Sequence, residues 1–362
     1  MIFSVQPNII SGEDSLKIIE DIHPSKVFIV TDPFLYENGM VNIVIDKIPS
    51  ESSYYVYKDV RPDPSQELVD KSVKEYLTYN PDFIIAFGGG SAIDLTKAMI
   101  SCLHNNHGVD KKTFVAIPTT AGTGSEVTNF AVVTRGSDKI VLVDDYLLPN
   151  YSLLIPSVTK SVPNFITADT GMDVLTHALE AFVSINSNSF TDIFAKQAIN
   201  LVFDNLKVAY DDGMRMKARQ AMLEASCMAG IAFTNAGLGI NHSIAHTIGG
   251  RFHIAHGRLN AILLPTILEF NSNRSEVCKC KLTNLAKEMG LNTHMELIEK
   301  IRDLRDDLHI EDSLARLGKI DINDYHKAIE NMSEIAMNDR CTPTNPGYVT
   351  KFDLANIMRD VY

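Results

Sequence analysis

Four histidines lie close together in the segment GLGINHSIAHTIGGRFHIAHG, which spans positions 237–257. These four, from eleven histidines in the chain, are His242, His246, His253 and His256. Neutral imidazole nitrogen is the commonest protein ligand for zinc, iron, copper and nickel, so this concentration indicates a metal site. His242 and His246 are four residues apart and share one face of a helix. The Gly249-Gly250 pair predicts a break that lets His256 fold back toward that face.

A carboxylate that would complete such a site lies upstream, in the segment GMDVLTHALEAFVS. Asp173 and His177 are also four residues apart, so they point the same way from an amphipathic helix. Alone, this pair is typical of a helix surface, and clustered histidines are often buried and hydrogen-bonded. Together the two segments predict a shell of one aspartate and three histidines, whose oxygen and nitrogen donors suit Fe(II) or Zn(II). Spacing alone leaves open which three histidines bind.

The composition describes a globular protein with room for two domains. The chain has 362 residues, 45% of them hydrophobic, and a net charge of −12 with scattered lysines and arginines. This charge argues against a nucleic-acid or anionic-membrane surface. Five cysteines without a CxxC pair argue against a disulfide framework and indicate a reducing compartment. We expect a cytoplasmic protein, because neither a leader nor an uncharged stretch of membrane-spanning length is evident.

In the N-terminal part, β-branched runs alternate with helical patterns. The runs that predict strands are VFIVTD at 27–32, YYVYKDV at 54–60, DFIIAFGGG at 82–90 and FVAIP at 114–118. Between the second and third runs, PSQELVDKSVKEYLTYN has the apolar spacing of a helix. This alternation predicts a Rossmann-like parallel sheet with helices on its faces, which binds ligands beyond the carboxyl ends of the strands.

Two glycine-rich loops follow successive predicted strands. GGGS at 88–91 opens a helix, so a phosphate could approach its backbone amides, and Asp94 follows in the first turn. PTTAGTGSE at 118–126 adds hydroxyls that can bind phosphate or ribose. One such loop is usually only a turn, but two favour a nucleotide site. Asp32 ends another strand, where it would bind a ribose diol or cap the helix that begins at Pro33.

The strand patterns TNFAVVT, KIVLVDD and YSLLIP end before Pro156, and the remaining patterns are helical. We therefore predict an α/β nucleotide-binding domain at 1–160 and an all-helical metal and substrate domain at 161–362. The helical patterns cover 169–183, 190–211, 215–234, 238–249, 258–271, 275–289 and several segments after 294.

Four segments, GGGSAIDLTKA, PTTAGTGSEVT, TGMDVLTHALEAFVS and GLGINHSIAHTIGGRFHIAHGRLNAILLP, occur in an order and spacing that resemble the iron-containing (group III) alcohol dehydrogenases. Within that family the chain looks most like enzymes of the propanol dehydrogenase type. The resemblance implies an NAD-dependent enzyme that interconverts a small primary alcohol, such as 1-propanol, and its aldehyde. It also implies Fe(II), with Zn(II) or Mn(II) as alternatives, and a homodimer or larger homo-oligomer.

The resemblance further implies roles for individual residues. The implied metal ligands are Asp173, His177, His242 and His256. The implied NAD contacts are Asp32, Gly89, Gly90, Ser91, Asp94, Thr119, Thr123, Thr128 and Lys139. His246 is implied as a non-ligand near the nicotinamide, placed to relay the substrate proton as a catalytic residue. Phe233 is implied beside the substrate, and with Phe130 it suggests a narrow apolar pocket.

Some residues depart from the common choices of that family. Ala255 stands where proline usually precedes the last ligand histidine. Arg251 and Arg258 flank the ligand loop and could grip a carboxylate, which would suit a 4-hydroxybutyrate dehydrogenase that reduces succinic semialdehyde. A 1,3-propanediol or glycerol dehydrogenase-like polyol oxidoreductase is a further alternative. A lyase like dehydroquinate synthase would need clustered cationic side chains, and a non-catalytic metal-binding protein would not need the glycine-rich loops.

Overall fold

A computed structural model of the protein describes residues 3–136 and 138–362. Its strands are β1 (Asn8–Ser11), β2 (Lys26–Val30), β3 (Ser53–Tyr57), β4 (Phe83–Gly88), β5 (Thr113–Pro118), β6 (Phe130–Arg135), β7 (Asp138–Val143) and β8 (Tyr151–Leu154). Its α-helices are α1 (Lys17–Ile22), α2 (Pro33–Glu37), α3 (Asn42–Ile45), α4 (Gln66–Tyr79), α5 (Gly90–His107), α6 (Asn164–Val183), α7 (Ser189–Asp211), α8 (Met216–Ala236), α9 (Ile240–Phe252), α10 (His256–Arg274), α11 (Glu276–Glu288), α12 (His294–Asp307), α13 (Ile322–Met337) and α14 (Lys351–Asp360).

Six of the strands form one parallel sheet in the order β1-β8-β5-β4-β2-β3. From β2 the chain moves outward to β3, and then crosses to the other side of β2 to form β4. The strand order therefore reverses between β2 and β4. In open α/β sheets, ligands bind in the crevice that such a reversal opens at the carboxyl ends of the strands. This position lies next to the loops that follow Val30 and Gly88.

Both faces of the sheet are buried under helices. In β2, Phe28 and Val30 pack into an apolar cluster with α4 and α5, whereas Val27 and Ile29 pack on the opposite face with α1, α2 and α3. All four side chains are fully buried. A parallel strand covered on both faces needs no polar positions, which is why β2 and β4 read as continuous apolar runs in the sequence.

The predicted fold class, a Rossmann-like sheet followed by helices, is confirmed. The β6 and β7 segments form a separate antiparallel hairpin instead of joining the main sheet. The sequence analysis missed β1, a four-residue strand that pairs with β8 at the edge of the sheet. It is mostly exposed and too short to produce a clear apolar pattern.

The chain divides into two compact units. One contains the described residues up to Val162 together with Gly213–Gly230, and the other contains Pro163–Asp212 and Ile231–Tyr362. The sequence analysis placed its boundary at 160/161 and assigned residues 213–230 to the helical domain, so the structure groups that segment differently. No strand follows Leu154 in the described part of the chain, and none of its helices is long and apolar enough to cross a membrane.

Candidate active site

The first two predicted metal ligands lie on α6, in its most deeply buried part. Asp173 and His177 are one helical turn apart, and their side chains are only 6% and 7% exposed. Asp173 Oδ2 is 4.0 Å from His177 Nδ1. A buried carboxylate is costly unless opposite charge or hydrogen bonds compensate it, so this pair requires partners from other helices.

Those partners come from α9 and α10. His242 Nε2 and His256 Nε2 each lie 3.7 Å from Asp173 Oδ1. The rings of His177 and His242 are stacked with their centroids 4.5 Å apart. Three helices therefore bring together the one aspartate and three histidines that the resemblance implied as ligands.

The backbone of α10 reaches Asp173 because residue 257 is glycine. A Cβ atom at Gly257 would lie 2.1 Å from the carbonyl oxygen of Asp169 and 3.3 Å from the Cβ of Asp173. No side chain fits there, since the two nearest obstructing atoms belong to the backbone of Asp169 in α6. The close approach places His256, the preceding residue, beside the carboxylate.

The predicted break at Gly249-Gly250 is wrong. Helix α9 runs through both glycines and ends after Phe252, where His253 adopts a left-handed conformation with φ of 54°. The chain therefore turns at a histidine, and α10 begins three residues later. Ala255 has φ of −56°, the value that a proline ring would impose, so the backbone before His256 is the same as proline would give.

The donor set fits a divalent metal ion. Asp173, His177 and His242 offer ligand atoms that lie within 4.8 Å of one another, and His256 Nε2 lies 3.7 Å from Asp173 Oδ1. Ligand atoms about 2.1 Å from one ion lie roughly 3 to 3.5 Å apart, so the donors would have to close around the ion. Burial alone would raise the pKa of Asp173, but His177 and His256 outweigh it and hold the pKa well below its usual range. Asp173 therefore stays a carboxylate, and the set combines an anionic oxygen with imidazole nitrogens.

Glu180, which the sequence analysis missed, orients one of these ligands. Its Oε2 accepts a hydrogen bond from His242 Nδ1 at 2.5 Å, and its Oε1 accepts one from the Asn241 N–H at 2.7 Å. The His242 ring is thereby turned with Nε2 toward Asp173. Burial would lower the pKa of His242, but Glu180 and Asp173 raise it to about 9. These anionic surroundings would equally stabilise a metal cation.

Asn260 is a second residue of the site that the sequence analysis missed. Its Nδ2 donates to Asp173 Oδ1 at 2.6 Å and lies 3.2 and 3.1 Å from the Nε2 atoms of His242 and His256. The amide of Asn241 donates in turn to Asn260 Oδ1 at 2.9 Å. The Asn260 amide thus lies among the facing atoms of three predicted ligands.

His246 lies beside the four predicted ligands and pairs with a different carboxylate, that of Asp339. Its Nδ1 is 2.8 Å from Asp339 Oδ2, and its ring stacks on His256 with the centroids 5.3 Å apart. Burial would raise the pKa of Asp339, but the hydrogen bond from His246 lowers it to about 2. Asp339 is 93 residues away in the chain, so no spacing in the sequence could have paired the two residues.

The two residues predicted for a substrate pocket belong to different units. The Phe233 ring stacks on His177 with the centroids 4.5 Å apart, so it borders the metal ligands. Phe130 lies half-buried at the start of β6 in the sheet-containing unit. A substrate role for Phe233, and a pocket that includes Phe130, stay predictions.

The predicted nucleotide loops meet at the carboxyl ends of β4 and β5. Gly89 precedes α5, and in the described structure no side chain caps that helix. A Cβ atom at Gly90 would lie 2.8 Å from Thr123 Cγ2, so the two loops are in contact. The Thr119 N–H donates to the Gly88 carbonyl at 3.0 Å. Ser91 lies partly buried in the first turn of α5, and this uncapped helix N-terminus fits a dinucleotide phosphate.

A buried lysine, Lys97, organises the second loop from within. Its Nζ donates to the Ser125 carbonyl at 2.6 Å and to the carbonyl and hydroxyl oxygens of Thr128 at 2.7 and 2.9 Å. Asp94 accepts hydrogen bonds from the Ser125 hydroxyl and, at 3.1 Å, from the Val132 N–H. Asp94 and Thr128 thus hold the loop, and their predicted contacts with NAD stay predictions.

The two remaining predicted NAD contacts lie on the surface. Asp32 caps α2, because its Oδ1 accepts a hydrogen bond from the Leu35 N–H at 2.9 Å. It is only partly buried, so the carboxylate is available to a ribose as well. Lys139 Nζ lies 2.7 Å from Asp63 Oδ1 in an exposed ion pair.

Comparison with known proteins agrees with this geometry. Residues 7–156 match the family model for iron-containing alcohol dehydrogenase, and residues 167–362 match the C-terminal model of the Fe-containing alcohol dehydrogenase family. The chain belongs to the iron-containing alcohol dehydrogenase family. It is an oxidoreductase, as the four sequence segments predicted. Together the two matches cover both the sheet and the helices that carry the candidate ligands.

Individual members of the family are similar over nearly the whole chain. A 1-propanol dehydrogenase from Citrobacter freundii is 37% identical over 359 residues, which cover 95% of each protein. An iron-containing alcohol dehydrogenase from Thermococcus thioreducens has a TM-score of 0.93 at 27% identity, over 100% of this chain and 99% of that one. A sulfoacetaldehyde reductase from Bifidobacterium kashiwanohense, solved in complex with NAD+, has a TM-score of 0.90 at 27% identity and covers 99% and 98%.

Proposed function

We propose that this family member is an NAD-dependent, metal-dependent dehydrogenase of small uncharged primary alcohols. It transfers a hydride between the alcohol carbon and C4 of the nicotinamide, and it reduces the aldehyde in the reverse direction. The observation that carries the proposal is the convergence of His177, His242 and His256 on the buried carboxylate of Asp173. The similarity to a 1-propanol dehydrogenase supports this substrate class.

The four ligands would hold a divalent ion, which we infer to be Fe(II) from the family. When bound, such an ion supplies Lewis-acid polarisation of the alcohol oxygen and lowers the pKa of the hydroxyl group. Glu180 keeps His242 in the tautomer whose Nε2 faces the site, and Asn260 holds Asp173 Oδ1 in place. The four predicted ligands offer only oxygen and nitrogen donors, so Zn(II) and Mn(II) are chemically acceptable alternatives.

His246 would carry the substrate proton away. Asp339 accepts a hydrogen bond from Nδ1, which leaves Nε2 of the neutral ring as the proton acceptor. The His246 side chain is 37% exposed, so a proton taken up at Nε2 can pass to water. Asp339 also stabilises the imidazolium that forms, as a carboxylate does for a general base.

The surroundings of the two arginines favour an uncharged substrate. Arg258 Nε lies 3.0 Å from Asp169 Oδ1, and its Nη1 lies 2.5 Å from Glu311 Oε2. Its charge is therefore already paired with two carboxylates. Arg251 is exposed near the end of α9, with its guanidinium 5.8 Å from the Phe252 ring centroid. Neither arginine is therefore arranged as a dedicated binding group for the carboxylate of succinic semialdehyde.

Protein reconstituted anaerobically with Fe(II) should therefore prefer propionaldehyde to succinic semialdehyde. We expect the ratio of the two kcat/KM values in Arg258→Ala to stay within about twofold of the wild-type ratio. The reason is that Arg258 forms ion pairs with Asp169 and Glu311 and does not bind the substrate. The same variant should lose about 1 to 3 kcal/mol of stability, because a largely buried carboxylate loses its partner. Steady-state kinetics with NADH and thermal unfolding measure the two effects.

Arg251→Ala serves as the matched control, since it removes a charge from the same region without removing those ion pairs. A wild-type preference for the semialdehyde that is lost in either variant would contradict the proposal and identify a hydroxy-acid dehydrogenase. A panel that includes 1,3-propanediol and glycerol tests the polyol alternative in the same assay.

The cofactor preference is expected to depend on Asp32. A carboxylate at the end of β2 would repel the 2′-phosphate of NADP, so Asp32→Gly should lower the NAD to NADP ratio of kcat/KM at least about tenfold. Glycine is a tolerated N-cap, so α2 should be retained at a cost of a few tenths of a kcal/mol. Initial rates with both cofactors measure the ratio.

Asp32→Asn separates charge from helix capping, because asparagine caps a helix as well as aspartate does. It should relax the preference as the glycine variant does. If both variants kept the wild-type ratio, Asp32 would act only as the cap of α2.

A further inference from the structure

A second group of metal-binding side chains lies beside the candidate catalytic site. It consists of His246, Asp339 and Cys341, which each offer a ligand atom within 4.8 Å of the other two. His246 comes from α9, whereas Asp339 and Cys341 lie two residues apart just after α13. In the described residues, only this group and the set of Asp173, His177 and His242 have such a geometry, and only this one includes sulfur.

We propose that His246, Asp339 and Cys341 form a second, inhibitory site for soft divalent ions such as Zn(II) or Cd(II). The inhibition rests on the proposed function, because it requires His246 to relay the substrate proton. The binding itself does not, and it follows from the three donors alone.

The donor chemistry selects the ion. Thiolate, imidazole and carboxylate together bind zinc and its heavier homologue cadmium, whereas Fe(II), Mg(II) and Mn(II) gain less from a sulfur ligand. A thiolate and a carboxylate balance the two charges of the ion, so the complex is neutral in a place where Cys341 is only 7% exposed. The catalytic set contains no sulfur and therefore lacks this selectivity.

Binding requires two changes of protonation, both local. Burial and the Asp339 carboxylate raise the pKa of the Cys341 thiol, so the sulfur keeps its proton until a cation replaces it and the proton leaves to water. The ion also takes the place of the proton between His246 Nδ1 and Asp339 Oδ2, which are 2.8 Å apart. That proton moves to Nε2, and the ring stays neutral.

This tautomer change explains the inhibition. With a metal at Nδ1 and a proton at Nε2, His246 has no lone pair left to accept the substrate proton. The exposed fractions of the His246 and Asp339 side chains, 37% and 15%, give an ion from solution a path to the site. Free zinc thus inhibits the enzyme at this second site without replacing the catalytic ion.

Cadmium titration of the Fe(II)-loaded protein tests the proposal, because Cd(II) bound to thiolate gives a sulfur-to-metal charge-transfer band in the ultraviolet. Cys280 is exposed, so the experiment uses a Cys280→Ser background. We expect a band that saturates at one added equivalent, a parallel loss of alcohol oxidation, and no iron in the filtrate. Cys341→Ser should abolish the band and raise the inhibitory concentration of Cd(II) at least about tenfold.

Cys278→Ser is the matched control, because Cys278 is buried but lies outside the group. It should keep both the band and the inhibition. A band that persists in Cys341→Ser, or its absence from the parent protein, would overturn the proposal. Inhibition that releases iron without a band would also overturn it and would indicate exchange at the catalytic ligands. Because the band needs no turnover, it tests the site even if the protein oxidises no alcohol.

Discussion

Alanine in place of His256 is expected to remove the bound metal and to lower kcat/KM for 1-propanol at least about 10³-fold. His256 Nε2 lies 3.7 Å from Asp173 Oδ1, and it is the only predicted ligand on α10. Its loss leaves three donors, two of them on α6, and removes much of the polarisation of the substrate oxygen. Metal analysis after anaerobic gel filtration and steady-state kinetics with NAD measure the two effects.

His253→Asn is the control, since His253 lies in the same turn and is exposed. Asparagine tolerates the left-handed conformation that His253 adopts, so the turn before α10 should persist. This variant should keep its metal and its activity. Full metal content and turnover in His256→Ala would remove this histidine from the ligand set and leave the proposed mechanism without its central feature.

The sequence could predict the ligands because local periodicity sets their geometry. Asp173 and His177 are one turn apart on a long buried helix, and that relation needs no tertiary information. Glu180 could have been found in the same way, since it lies seven residues after Asp173 on the same face. Asn260 follows His256 by one turn and carries the same signal. Both were missed because a single polar residue on a helix usually faces solvent.

Other parts of the site depend on contacts between distant segments. Asp339 meets His246 only after α13 packs in the helical unit, and the chain between them contains no motif that announces the pairing. Lys97 lies in an ordinary helical pattern, yet it is fully buried and holds the carbonyl of Ser125. Burial of a lysine cannot be inferred from periodicity, because lysine normally marks the solvent face of a helix.

The turn before α10 shows a third reason why a prediction from the sequence failed. Glycine pairs usually end helices, and the sequence analysis placed the break at Gly249-Gly250 for that reason. Gly250 lies inside α9 at an exposed position, so it weakens the helix by at most about 1 kcal/mol relative to alanine and does not end it. His253 ends the helix instead, because the chain must reverse to bring α10 onto α6. Tertiary packing, which the sequence pattern does not report, decides between these two positions.

Because α10 packs closely on α6 at Gly257, we expect stability and metal binding to be sensitive to substitution of this glycine. Gly257→Ala is expected to lower the stability of the protein by about 3 kcal/mol and to weaken metal binding at least about tenfold. The added Cβ would lie 2.1 Å from the Asp169 carbonyl oxygen, and neither backbone can move away without separating α10 from α6. That separation would carry His256 away from Asp173. Thermal unfolding with and without Fe(II), together with metal titration, measures both effects.

Gly250→Ala is the matched control, because it makes the same substitution in the neighbouring helix, at an exposed position with open space around it. Alanine has the higher helix propensity, so this variant should be unchanged or more stable by up to about 1 kcal/mol. If Gly257→Ala unfolded like Gly250→Ala and bound Fe(II) with the affinity of the parent, α10 would not need its close approach to α6. The position of His256 would then have to be set by the turn at His253 and by the hydrogen bond from Asn260 to Asp173, which also ties α10 to α6.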